Sequence, residues 1–146
     1  MSQPQILIAD SDAQIVACFA ALHELRPHLK DAADLIARVR RQQKEGYVLA
    51  YIAAADGQAV ACLGFRRQER LVHGKVIYVD DLVTRASERS KQHGAALLDW
   101  LEELARREGF GTVDLDSGTQ RLDAHRFYHR QKYTVNAFHF LKRIQG

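Results

Sequence analysis

Two aspartates, Asp80 and Asp81, stand side by side in a run of β-branched and aromatic residues, Lys75 to Thr84. A carboxylate there is a candidate base or cation binder. Neighbours on a strand point to opposite faces, so alternation admits at most one of the two into a cleft. Asp80 shares the parity of Leu82 and Thr84, but a bulge would shift that parity, so both remain candidates. The plainer alternative is one solvated aspartate and one capped in a turn. Just downstream, the polar turn Arg85 to Gly94 opens onto a helix. A helix start offers unpaired backbone N–H groups and the positive end of the macrodipole, which together bind anions without a special side chain. Arg89 and Lys91 add positive charge, and Gly94 lets a phosphate approach the backbone closely. Many helices begin this way, so an ordinary helix start is the competing reading.

The elements that must position these groups follow from periodicity. Gln5 to Ala9 reads as a first strand, and Asp10, Ser11 and Asp12 can each cap a helix over Ala13 to Leu25, which Pro27 ends. A second helix runs from about Asp31 to near Gly46. Tyr47 to Ala54 and Ala59 to Arg66 are strands joined by an Asp56-Gly57 hairpin, and Lys75 to Thr84 completes a meander. The helix Ala95 to Glu108 turns Leu97, Leu101, Leu104 and Ala105 to one face and stops at Gly109. Thr112 to Asp116 reads as a strand, Gln120 to Arg130 as a helix with Leu122, His125 and Tyr128 or Phe127 inward, and Tyr133 to Leu141 as a last strand. The order β-α-α-β-β-β-α-β-α-β predicts an α/β fold: a mixed, mostly antiparallel central sheet flanked by helices. No linker or repeat interrupts residues 1–146, so one domain is expected.

Composition sets the class. Of the 146 residues, 47% are hydrophobic and 27% charged, as in a globular protein, and a domain this long needs no staple. A net charge of +3, without basic residues interleaved with aromatic ones, does not point to nucleic acid. Cys18 and Cys62 lie in apolar runs and read as reduced core residues; no metal-ligand spacing occurs. No signal peptide and no apolar run of membrane length is visible, so a cytoplasmic protein without a membrane or metal partner is expected.

The motif residues resemble a family. Arg89, two residues, Gln92, one residue, then Gly94-Ala95 and Ala96-Leu97-Leu98 is similar to the acetyl-coenzyme A motif of the GCN5-related N-acetyltransferases (GNAT): Arg or Gln, two residues, Gly, one residue, then Gly or Ala. Downstream, Ala124-His125-Arg126-Phe127-Tyr128, three residues, and Lys132-Tyr133 resemble that family's Ala-x-x-Phe-Tyr-x-x-x-Gly-Phe stretch. The element order also matches over essentially the whole chain. Gln92 and Lys132 stand where the family usually has glycine, and Arg121 where it often has asparagine.

The resemblance implies an acetyl-coenzyme A-dependent acyltransferase with acetyl-coenzyme A as cosubstrate and a GNAT-like fold. It assigns the backbone of Leu82, Val83 and Thr84 to the pantetheine arm and the acetyl carbonyl. Arg89, Ser90, Lys91, Gln92, His93, Gly94 and Ala95 fall to the pyrophosphate, with Arg121 as a further cofactor contact. Tyr128 matches the family's acid for the departing thiolate; on an amphipathic helix it also reads as a core tyrosine. Because an alkylammonium must lose a proton before attack, Asp80 or Asp81 is the expected base, with Asp80 favoured. Ser117, His125 and His139 are candidate substrate contacts, although a lone histidine on such an element is often structural. The expected acceptor is a small-molecule primary amine. The alternatives are a protein or peptide acceptor, or a non-catalytic acyl-coenzyme A binding module. Pairing through Tyr133 to Leu141 would make a homodimer.

Overall fold

The three-dimensional structure is a computed structural model that describes residues 4–145. The chain divides into two compact units after Leu115. The first opens with β1 (Leu7–Ile8) and the helices α1 (Asp12–Ala17), α2 (Phe19–Leu25) and α3 (Ala32–Gln43). Strands β2 (Val48–Ala53), β3 (Ala59–Arg70) and β4 (Gly74–Thr84) follow, then α4 (His93–Glu108) and β5 (Thr112–Leu115). The second unit contains α5 (Leu122–Arg130).

Local chemistry accounts for the helix ends. Ser11 caps α1 through a reciprocal box with Gln14, each side chain bonding the other's backbone N–H. The helix expected over Ala13 to Leu25 is two helices that meet at Cys18. Asp31 caps α3 by accepting the Asp34 N–H at 2.8 Å. Gly109 ends α4 in the left-handed conformation its lack of a Cβ permits.

The five strands lie in sequence order, β1-β2-β3-β4-β5. The first three pairings are antiparallel, and β4 and β5 are parallel, joined across α4. Side chains of β3 alternate between two packed faces. Cys62 joins the core formed with Ile15, Leu22, Leu35 and Val39 of α1–α3. Phe65, of the opposite parity, meets Trp100 of α4 edge to face. On α4, Leu97, Leu98 and Leu101 are fully buried, each contributing about 1.5–3 kcal/mol relative to exposure.

Two irregularities of β4 matter for function. Gly64 pairs with Asp81 but Phe65 pairs with Val79, so Asp80 is an extra residue bulged out of the ladder. Moreover, β5 pairs only with Val76 to Val79. Beyond the bulge, β4 has no ladder partner on its β5 side among the described residues.

Some expectations need correction. Among the described residues, Tyr133 to Leu141 forms no strand. The segment has the alternation of a strand, but a strand exists only as one side of a hydrogen-bonded ladder, and none forms here; Phe138 and Phe140 are 85% and 91% exposed. Leu122, expected inward, is 60% exposed at the first position of α5. Helix α4 begins at His93, two residues before the expected start. No described helix is long and apolar enough to cross a membrane.

Candidate active site

The bulge at Asp80 brings both carboxylates to one cavity, overturning the expectation that alternation would admit at most one. The cavity, about 290 Å³, is walled by the end of α2, the following loop, α3, and β4 at Asp80 and Asp81. Each acid has an arginine that the sequence did not flag. Arg26, at the end of α2, donates to Asp81 Oδ1 from Nε (3.0 Å) and Nη2 (2.9 Å) and to the Asp80 carbonyl from Nη2 (3.0 Å). Arg66 on β3 donates from Nε to Asp80 Oδ2 (2.9 Å) and from Nη2 to Gln42 Oε1 (2.7 Å).

Tyr47 closes the network. Its hydroxyl donates to Asp81 Oδ2 at 2.8 Å, and the Arg66 guanidinium lies over its ring, 5.4 Å from the centroid. The phenol reaches this position because Gly64 sits opposite Asp81 on β3; a Cβ on Gly64 would overlap the Tyr47 hydroxyl. Burial, reinforced by the Asp81 charge, pushes the Tyr47 phenol well above its usual range, so it remains a donor. The two acids therefore differ. Both oxygens of Asp81 are engaged. Asp80 has one oxygen on Arg66, while Oδ1 accepts no hydrogen bond among the described residues. Burial raises the Asp80 carboxyl above the usual carboxylate range, against the opposing pull of Arg66.

The second part of the site is the turn into α4. Ser90 and Gln92 adopt left-handed backbone conformations, at φ 69° and 65°. Gln92 is the residue before α4 and gives no side-chain cap. The helical bonds begin with the Ala96 N–H on the Gln92 carbonyl (3.0 Å), leaving the N–H groups of His93, Gly94 and Ala95 ahead of them. Lys91 is paired with Glu88 at 2.7 Å, whereas the Arg89 side chain has no partner among the described residues. The unpaired β4 edge at Leu82, Val83 and Thr84 and these forward-facing donors fit an extended pantetheine arm and its pyrophosphate. The substitutions of glycine at 92 and 132 also find an account. Lys132, like Gln92, sits at positive φ, 71°. Both positions thus have the backbone that glycine adopts at no cost, held here at about 1–2 kcal/mol each.

In the second unit, Tyr128 lies on α5 between Phe127 and Tyr133, with ring centroids 5.4 and 6.1 Å away. Burial raises its phenol, with Arg121 acting in the opposite sense, so it carries its proton at neutral pH. Arg121 immediately precedes α5. His125 Nε2 donates to the Gly118 carbonyl at 2.7 Å, and His139 Nδ1 lies 3.7 Å from Asp116. Both histidines thus have local partners. Ser117 Oγ is buried without a hydrogen-bond partner among the described residues.

Comparison with known proteins identifies the family. The model of the Acetyltransferase (GNAT) family matches residues 5–133. The chain is 36% identical over 129 residues to the uncharacterized N-acetyltransferase YhdJ of Bacillus subtilis, covering 86% of this chain and 89% of that protein. It is 34% identical over 94 residues to the aminoalkylphosphonate N-acetyltransferase of Salmonella typhimurium, covering 64% and 61% of the two chains. Among solved structures, AAC(6')-Iy in complex with the bisubstrate analog CoA-S-monomethyl-acetylneamine matches with a TM-score of 0.79 at 14% identity, over 99% of this chain and 100% of that one. The fold, the family match and the named relatives lead to one statement: this chain is an acetyltransferase of the GNAT family.

Proposed function

We propose that the protein transfers an acetyl group from acetyl-coenzyme A to the primary amine of a small molecule by direct attack, as a single domain spanning residues 1–146 and acting in the cytoplasm. The observation that carries this reading is the bulge that sets Asp80 and Asp81 beside an unpaired edge of β4. When bound, the cosubstrate supplies an activated thioester carbonyl. The N–H groups of residues 90–95, aided by Arg89 and Arg121, hold its phosphates, and the backbone of Leu82 to Thr84 holds the arm and polarises the carbonyl. Asp80, through its open oxygen, takes the proton of the acceptor ammonium directly or through a water, freeing the nitrogen lone pair. Asp81, with both oxygens held, orients the site. The C–N bond forms, the thioester C–S bond breaks, and Tyr128 gives its proton to the departing thiolate; the nitrogen's second proton passes through water to the Tyr128 phenolate, and Asp80 returns its proton to solvent.

A cavity of about 290 Å³ sits at the small end of ligand sites and favours a small acceptor over a protein or peptide. The name of the aminoalkylphosphonate N-acetyltransferase relative favours the same class. Ser117, His125 and His139 remain candidate acceptor contacts. The exposed Phe138 and Phe140 favour a homodimer through residues 133–141.

Thiol release from acetyl-coenzyme A over a panel of small amines tests the reading. Tyr128→Phe should lower turnover about a hundredfold and leave acetyl-coenzyme A binding, followed by calorimetry, near that of the unaltered protein. An unchanged rate would remove Tyr128 as the acid. Binding without thiol release from any amine would leave the acyl-coenzyme A binding module as the better reading.

A further inference from the structure

The cavity beside Asp80 and Asp81 has charge of both signs on its wall. The two acids share that wall with Arg26 and Arg38, and Arg66 pairs with Asp80 as well, so the acids bring no excess of negative charge; His28 lines the same space from the loop between α2 and α3. A wholly cationic acceptor meets no net attraction in such a site, whereas an amine that also carries an anion matches it.

The two arginines are not equivalent. Arg26 is committed to the carboxylates through Nε and Nη2. Arg38 on α3 uses only Nε, on Asp34 Oδ1 one helical turn earlier at 3.0 Å. Its two terminal nitrogens make no hydrogen bond among the described residues, and its side chain is 38% exposed. A guanidinium held at Nε keeps its outer edge of parallel N–H groups free, the edge that grips a carboxylate or phosphoryl group with two hydrogen bonds. Asp34 is suited to hold it in place: the Lys30 N–H, then Arg38, keeps its carboxyl below the usual range, so it remains ionised. Asp34 itself does not line the cavity.

We propose that the acceptor is an amine bearing an anionic group, whether carboxylate, phosphonate or phosphate, and that Arg38 with His28 holds that group on the α3 wall while Asp80 receives the amine. The proposal rests on the acetyltransferase reading above and adds the substrate class. Arg38 is then a specificity determinant remote from the bond that forms.

The test compares kcat/KM by thiol release for 2-aminoethylphosphonate, O-phosphoethanolamine and β-alanine against propylamine and ethanolamine. The unaltered protein should prefer the best anionic amine by about 10- to 100-fold, the worth of one charged hydrogen-bonded contact. The order within the anionic set identifies which anion the site takes. Arg38→Gln should bring the ratio of anionic to plain amine close to one, mainly through KM. Asp34→Asn, which weakens the hold on the Arg38 guanidinium without removing it, should lower the ratio less than Arg38→Gln does. Equal kcat/KM for the two sets in the unaltered protein overturns the anion site and leaves the acetyltransferase reading standing. So does an Arg38→Gln variant that retains the preference. No thiol release from either set overturns both.

Discussion

Asp80 and Asp81 are surrounded by partners that the chain itself supplies, whereas the start of α4 has almost none. Around the acids, Arg26, Arg66 and Tyr47 hold three of the four carboxylate oxygens, and a glycine is placed so that one phenol fits. At the turn into α4 the backbone is bent twice into the left-handed region, the cap residue makes no side-chain cap, and the forward N–H groups are open among the described residues. The difference is one of who brings the charge. A base must be held and tuned before the acceptor arrives, because proton transfer depends on its pKa. A phosphate arrives with its own charge, so the loop need only keep donors unpaired and aimed.

The comparison can be broken at the acids first. Asp80→Asn should cost about 10²–10³-fold in kcat/KM at neutral pH. The proposed base role requires Asp80 ionised, and burial raises its pKa, so on that proposal activity should fall as pH drops through the raised value. The Asn variant should lose this acid limb. A pH–rate profile checks both, and a limb that survives in Asp80→Asn would move the role to another group. Gly64→Ala comes next. The added Cβ collides with the Tyr47 hydroxyl, so about 1–3 kcal/mol of stability should be lost by denaturant titration. Combining it with Tyr47→Phe should restore part of the loss; no recovery would mean that the collision is not the cause. The loop should be the most tolerant. Gln92→Gly should keep acetyl-coenzyme A affinity within about threefold, because glycine accepts the left-handed backbone. Gln92→Val should weaken binding by about tenfold, because a β-branched residue strains there. Calorimetry separates the two, and equal affinities would show that the loop's shape does not matter.

What could be read from the residues alone divides along the same line. The loop Arg89 to Ala95, the Asp56-Gly57 hairpin and the long helix stopped at Gly109 were legible because their causes lie within a few residues. The acid pair was visible, but its convergence was not, because the bulge at Asp80 is decided by how β4 pairs with β3. Arg26, Tyr47 and Gly64 carried no signal: they meet Asp81 across 55, 34 and 17 positions of chain, through folding alone. Tyr133 to Leu141 had the pattern of a strand, yet alternation describes a face and not a partner, and no ladder forms among the described residues.

The extra residue in β4 also sets a rule for altering this chain. A strand counts in twos, and Asp80 breaks the count once. Every position from Asp81 to Thr84 is therefore out of step with the stretch from Val76 to Val79. Removing Asp80 itself would restore the count: Val79 and Asp81 would become neighbours opposite Phe65 and Gly64, and Asp81 to Thr84 would keep their β3 partners. Point substitutions can tune this enzyme one group at a time; deleting Asp80 would take away an acid and the bulge together while leaving the end of the strand in register.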